Sequence, residues 1–139
     1  MKTLTKAAFA AAALSILTAA AASPAQAAPT EIIATIRVPN PDPAGIAFED
    51  FHVRLIEDVD IQDAYASLEG RNDDPVHGRI AGNADNPGYI WGLDPKDVAF
   101  ASSHIGICFN GMPSAVATLP GTIEYYCPAG SYVTAITEA

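Results

Sequence analysis

An all-β fold is what this 139-residue sequence predicts: a single small disulfide-stapled sandwich or barrel of about seven short strands, with room for one short helix. Three observations carry the expectation. Alternating or β-branched stretches recur, with Gly, Pro, Asn and Asp turn signals about every 8 to 12 residues. Helical spacing is confined to one short stretch. Two cysteines, Cys108 and Cys127, stand near the carboxyl end of a chain that starts like an exported one.

That start has three parts. Residues 1–6 are basic, residues 7–22 are apolar and uncharged, and Ser23-Pro-Ala-Gln-Ala27 carries the small pair Ala25 and Ala27. The pattern predicts a signal peptide over 1–27, because the apolar run is shorter than the roughly 20 residues a spanning helix needs. Residues 28–139 are then a single secreted β-rich domain, secreted or periplasmic, with no membrane association after cleavage. Without Lys2 and Lys6, 5 basic residues face 16 acidic ones, a formal charge of −11. Such a surface repels a phosphate backbone, which excludes nucleic acid as a partner. Only Glu124 and Glu138 carry charge after Asp97. The last third is therefore either the most buried part or an uncharged face that meets something.

Along the chain, residues 31–38 alternate with Ile32, Ala34, Ile36 and Val38 on one side, the signature of a half-buried strand. Pro39-Asn-Pro-Asp-Pro43 breaks the ladder. A second strand runs from about 46 to 57, with Phe51, Val53 and Leu55 inward. Residues 60–70 read as a helix capped by Asp60 and stopped by Gly70, with Ile61, Tyr65 and Leu68 on one face. Residues 64–69 also read as a short strand. Strands follow at 76–82 and 89–93, then an Asp94-Pro-Lys-Asp97 turn and a long strand at 98–109. Strands at 122–127 and 131–137 close the set as a hairpin around residues 128–130.

An exported chain with two cysteines most often bridges them. The rival is a catalytic thiol, since His104 precedes Cys108 by four residues. On one continuous strand those residues stand about 13 Å apart, too far for thiolate–imidazole contact. A simple meander with turns at Asn110-Gly111 and Pro120-Gly121 would separate the cysteines by a whole strand, roughly 10 Å. A disulfide needs β-carbons within about 4.5 Å. Pro113 would also interrupt that middle strand. Residues 111–121 therefore read as a loop, with a turn of helix begun at Pro113, and the strands bearing the cysteines come together. The closed loop stabilises the fold by roughly 3 kcal/mol.

Zinc, blue-copper and calcium-loop patterns are absent, so neither a metal nor another cofactor is expected. Serine-nucleophile, phosphate-loop and dinucleotide motifs are absent too. His52-Val-Arg54 and His77-Gly-Arg79 each place imidazole and guanidinium on one face of a strand. With a carboxylate such as Glu49, either pair has the groups to bind an anion and move a proton. A solvated face paired to the surrounding acids is the simpler reading. Contact residues are sought instead near the bridge, in Met112, Tyr125, Tyr126 and Tyr132, because tyrosine offers large area at low entropy cost. The sequence thus points to a small acidic non-catalytic recognition module for an extracellular or periplasmic protein. The alternative is a small hydrolase of phosphate or sugar esters using His52, Arg54, His77 or Arg79.

Overall fold

β1 (Ile32–Pro39) is the centre of a three-stranded antiparallel sheet of order β2-β1-β7, between β2 (Phe48–Leu55) and β7 (Tyr132–Glu138). The computed structural model describes residues 27, 29–82, 85–104 and 106–139, so the expected signal segment lies outside them except for Ala27. Alternation decides the faces: Ile32, Ala34, Ile36 and Val38 point inward and are buried, as are Phe51, Val53 and Leu55. β2 starts later and ends sooner than its pattern predicted, and Ile46 is exposed. The proline-rich link is the cause. It closes as a loop in which the Asn40 N–H donates to Ala47 O, while Asn40 Oδ1 and Asp42 Oδ1 accept from the Asp42 and Ala44 N–H groups.

α1 (Asp58–Leu68) settles the helix-or-strand ambiguity in favour of a helix. It begins two residues before the expected cap, so Asp60 lies within the first turn and is buried with Ile61, Ala64 and Ser67. Gly70, at φ 71°, ends it, with the Gly70 and Arg71 N–H groups donating to Ser67 O and Ala66 O. Leu68, expected inward, is exposed. The helix lies against β7, whose Val133 N–H donates to Ser67 Oγ at 3.1 Å. The opposite margin of the sheet is closed similarly. The His52 N–H donates to Asn86 Oδ1 and the Tyr89 hydroxyl donates to Asp50 O.

The second sheet has order β4-β3-β6-β5 and comprises β3 (Val76–Ala81), β4 (Gly92–Phe100), β5 (Cys108–Phe109) and β6 (Tyr125–Tyr126). Two expected strands, 89–93 and the start of 98–109, prove to be one. Gly78 faces Val98 and Ile80 faces Leu93, so Asp94-Pro-Lys-Asp97 bulges out of β4 rather than ending it. Its turn chemistry is as read: Asp94 Oδ1 accepts from the Lys96 N–H. Gly78 is needed opposite, because a β-carbon there would stand 2.8 Å from Asp97 O. The long strand to Phe109 does not form. Its ladder stops at Phe100, and the backbone passes through Ser102, Ser103 and Gly106, the last at φ 116°.

β5 and β6 run parallel, with Cys108 opposite Tyr125 and Phe109 opposite Tyr126. A parallel pair needs a long crossover. Residues 110–124 supply it, including a 3₁₀ helix at Pro113–Thr118 where the sequence placed a helical turn. Cys108 and Cys127 form the disulfide, with Cα atoms 5.8 Å apart. The hairpin expected around residues 128–130 is absent. Both sides of β6 are occupied by β3 and β5, so β7 crosses to pair with β1 instead. Between the sheets, Phe51, Trp91 and Tyr126 meet with ring centroids 5.4 Å apart. Among the described residues no helix is long and apolar enough to cross a membrane.

Candidate functional site

Alternation along β3 sends Val76 and Gly78 inward and turns His77 and Arg79 outward. The outward pair meets groups from the bulge and from β6. Arg79 Nε donates to Asp97 Oδ2 at 3.0 Å and its Nη2 donates to the Tyr125 hydroxyl at 2.7 Å. That hydroxyl donates to Asp97 Oδ2 at 2.9 Å, and Glu124 lies 3.5 Å from the guanidinium. Burial alone would push the Asp97 carboxyl up, but the hydrogen bonds from Tyr125 and Arg79 and the arginine charge hold it below the usual carboxylate range. The same bond to Asp97 raises the Tyr125 phenol.

His104 packs at a tilt against Tyr125 and His77, with centroids 4.5 Å and 4.9 Å apart. Desolvation, with His104 nearby, lowers the His77 pKa against the pull of Asp97. Nε2 of each histidine is buried without a hydrogen-bond partner among the described residues. A ligand nitrogen of His104 and both bridge sulfurs lie within 4.8 Å of one another. The 13 Å separation expected between His104 and Cys108 is thus overturned. It assumed a straight strand, and the chain turns back after Phe100. With the bridge closed there is no thiolate for His104 to activate.

The other His–Arg pair lies on the other sheet. Arg54 makes a fork to Asp85, at 2.8 and 3.1 Å, and also bonds Glu31. Glu49 has a different occupation, accepting from the Ser114 N–H and hydroxyl at 2.7 Å. The two pairs therefore do not share a cleft. His77 and His104 converge, while His52 stands on the sheet of β1.

At the end of the sandwich, a cleft of about 440 Å³ opens between the proline-rich loop and the disulfide-tethered one. Val38, Pro39 and Pro41 form one wall, Gly111 and Met112 the other, and Ala129 and Gly130 close it. Among the described residues no ionisable side chain lines it. Its walls are fixed: the Ala129 N–H donates to Asn110 Oδ1 at 2.6 Å, and the Tyr126 hydroxyl donates to Gly111 O at 2.9 Å. Gly111 lies so close to the Phe109 ring that a β-carbon would stand 2.2 Å from it. Tyr126 itself is 0% exposed, so its ring belongs to the core and presents no contact surface. Tyr132 is 44% exposed. At the same end of the sheet, Arg37 opposes Tyr132, covers the Phe48 ring at 3.6 Å and forks to Asp50.

Residues 42–139 match the BP-74 N-terminal domain family. The chain belongs to that family. No curated protein and no solved structure matches it. In this BP-74 N-terminal domain the matched span holds β2 to β7, both cysteines and the whole polar cluster. β1, the strand in the middle of the first sheet, precedes the match.

Sequence reasoning missed two contributors to these sites in the BP-74 N-terminal domain: Asp97 and the Arg37–Phe48 pair. Asp97 closes the turn that the local pattern marks, but that pattern does not show β4 resuming beyond it opposite β3, which brings Asp97 to Arg79. The Arg37–Phe48 pair was within reach, because a hairpin closed around residues 40–47 brings Pro39 opposite Phe48, and Arg37 precedes Pro39 by two.

Proposed function

We propose that this chain is an exported, non-catalytic recognition module that holds an extended apolar segment of another exported protein in the cleft beside Met112. The observation that carries the reading is the cleft itself. Its walls are pinned by hydrogen bonds and a covalent bridge, and its described lining offers apolar surface and amides but no acid, base or nucleophile. A preformed site loses little entropy on binding. Prolines 39 and 41 and the flexible thioether of Met112 suit an extended segment rather than a charged metabolite. Export is supported by the three-part start of the sequence and is compatible with the disulfide. Ester hydrolysis has weaker support, because Arg79, Asp97 and Tyr125 satisfy one another.

The test is affinity capture from culture medium by mature protein, compared across variants. Met112→Asp, which puts a charge into the cleft, should abolish capture of the wild-type partner, and Tyr132→Ala should weaken it. His77→Ala should capture normally. Undiminished capture by Met112→Asp, or wild-type esterase activity that His77→Ala removes, would reverse the assignment.

A further inference from the structure

We propose that the corner holding the bridge is a redox-gated metal site: once Cys108–Cys127 is reduced, the two thiolates and the His104 imidazole bind a thiophilic divalent cation of the zinc type. The inference starts from the composition of the donor set. Two cysteine sulfurs and one imidazole nitrogen, brought from two stretches of chain, residues 104–108 and Cys127, lie within 4.8 Å of one another. Cys₂His is a donor set that tetrahedral zinc accepts, with room for a fourth ligand. Bonds of about 2.3 Å to sulfur would place the two thiolates about 3.8 Å apart. Reduction permits that spacing, since each thiolate is then free to swing about its Cα–Cβ bond on a backbone whose Cα atoms stand 5.8 Å apart.

A second observation points to the same place. Nε2 of His104 and Nε2 of His77 are buried and have no partner among the described residues, an expensive arrangement for a polar atom. Beside them lies a cavity of about 90 Å³ lined by His77, Ser102, Ser103, His104 and Cys127. That is enough space for an ion and a water as its fourth ligand. The acidic chain, at a formal −9 overall, favours a cation there.

The step balances. A dithiol reductant gives two electrons and two protons to the disulfide and becomes a disulfide itself, leaving Cys108 and Cys127 as thiols. Binding the divalent ion then releases both thiol protons, and the metal keeps its oxidation state. The ion re-ties β5 to the end of β6, so the corner stays closed by coordination when the covalent tie is gone. This inference is independent of the cleft beside Met112.

The experiment reduces purified mature protein with a phosphine, removes the reductant without air, and titrates Co²⁺ alone. One equivalent should develop thiolate-to-cobalt charge-transfer absorption and the intense visible bands of a tetrahedral ion. Zn²⁺ should then displace it, and the oxidised protein should show none of this. His104→Ala should weaken Co²⁺ binding by more than about tenfold, while its oxidised form melts like wild type. Should reduction loosen the fold, Co²⁺ must restore the native near-ultraviolet dichroism. Absence of a one-to-one signal in the reduced chain overturns the proposal. So does equal binding by the oxidised chain, unchanged affinity in His104→Ala, or failure to restore the dichroism.

Discussion

β1 makes eight successive pairs with β2 and six with β7, whereas β6 makes two with β3 and two with β5. In the first sheet the β1–β2 ladder is unbroken and its inner face is buried from Ile32 to Val38, and the β1–β7 ladder shifts register once, between Thr35 and Ile36. The second is interrupted by a four-residue bulge and finished by a parallel pair of two-residue strands. A disulfide, a 3₁₀ crossover and stacked rings replace the missing ladder. Backbone regularity and side-chain chemistry are thus distributed in opposite ways. Where strands are long, outward residues pair separately, Arg37 with Asp50, Arg54 with Asp85 and Glu49 with Ser114. Where they are short, loops fold back over the face, and Asp97, His104 and Tyr125 gather around Arg79 and His77.

The largest expected effect tests whether the two halves share one core. Phe51, from the long sheet, packs on Trp91 and Tyr126 of the opposite layer. Phe51→Ala should lower stability by about 3–5 kcal/mol in urea titration, with every spectroscopic probe shifting together. A loss under about 1 kcal/mol, or probes that separate, would mean that the sheets stand independently.

Next comes the covalent tie. Replacing both cysteines by serine should cost roughly 3 kcal/mol. Amide hydrogen exchange should localise the damage: the Cys127 N–H, which donates to Phe109 O at 2.8 Å, should lose protection well before Ile36 and Val53. Uniform loss across both sheets would mean that the two sheets are equally held.

The smallest effect has the opposite sign and lies on the helix beside β7. Burial, reinforced by the Asp63 and Glu57 charges, pushes the Asp60 carboxyl up to about 6. A carboxyl raised in the folded state binds its proton more tightly there, so protonation stabilises. That contribution is complete below the unfolded value of about 3.9 and is lost as pH rises through 6. Asp60→Asn should therefore raise the melting temperature at pH 7 by a few degrees, about 1 kcal/mol, and flatten the profile between pH 4 and 6. Asp97 works the other way: its carboxyl is held low, so its contribution is lost as pH falls through the folded value. An Asp60→Asn protein that melts lower at pH 7 would remove this opposition.

The same contrast explains what the sequence could and could not reveal. Period-two alternation named the inner faces of β1 and β2, because a long strand with one buried face must repeat that way. The cysteine spacing and Pro113 together excluded a middle strand and gave the tethered loop and its helical turn. Pairing partners were another matter. Nothing local to Tyr125 and Tyr126 marks a two-residue strand held between β3 and a parallel β5, so a hairpin with β7 read as the nearer solution. The break after Phe100 was signalled by Ser102, Ser103 and Gly106 but outweighed by the apolar residues around them. That single misreading moved His104 away from the cysteines. Of the polar cluster, His77 and Arg79 were legible as residues two apart on one face. Asp97 and His104 were not, because a bulge and a loop deliver them.

The lateral margins of the long sheet end on Ser67 on one side and on Asn86 and Tyr89 on the other. An incoming strand from a second copy would find the Val133 and His52 N–H groups and the Asp50 carbonyl already engaged, and would have to displace those side chains to pair along the whole edge. Each margin thus carries a block part-way along it, on a sheet that is otherwise long and rich in isoleucine and valine.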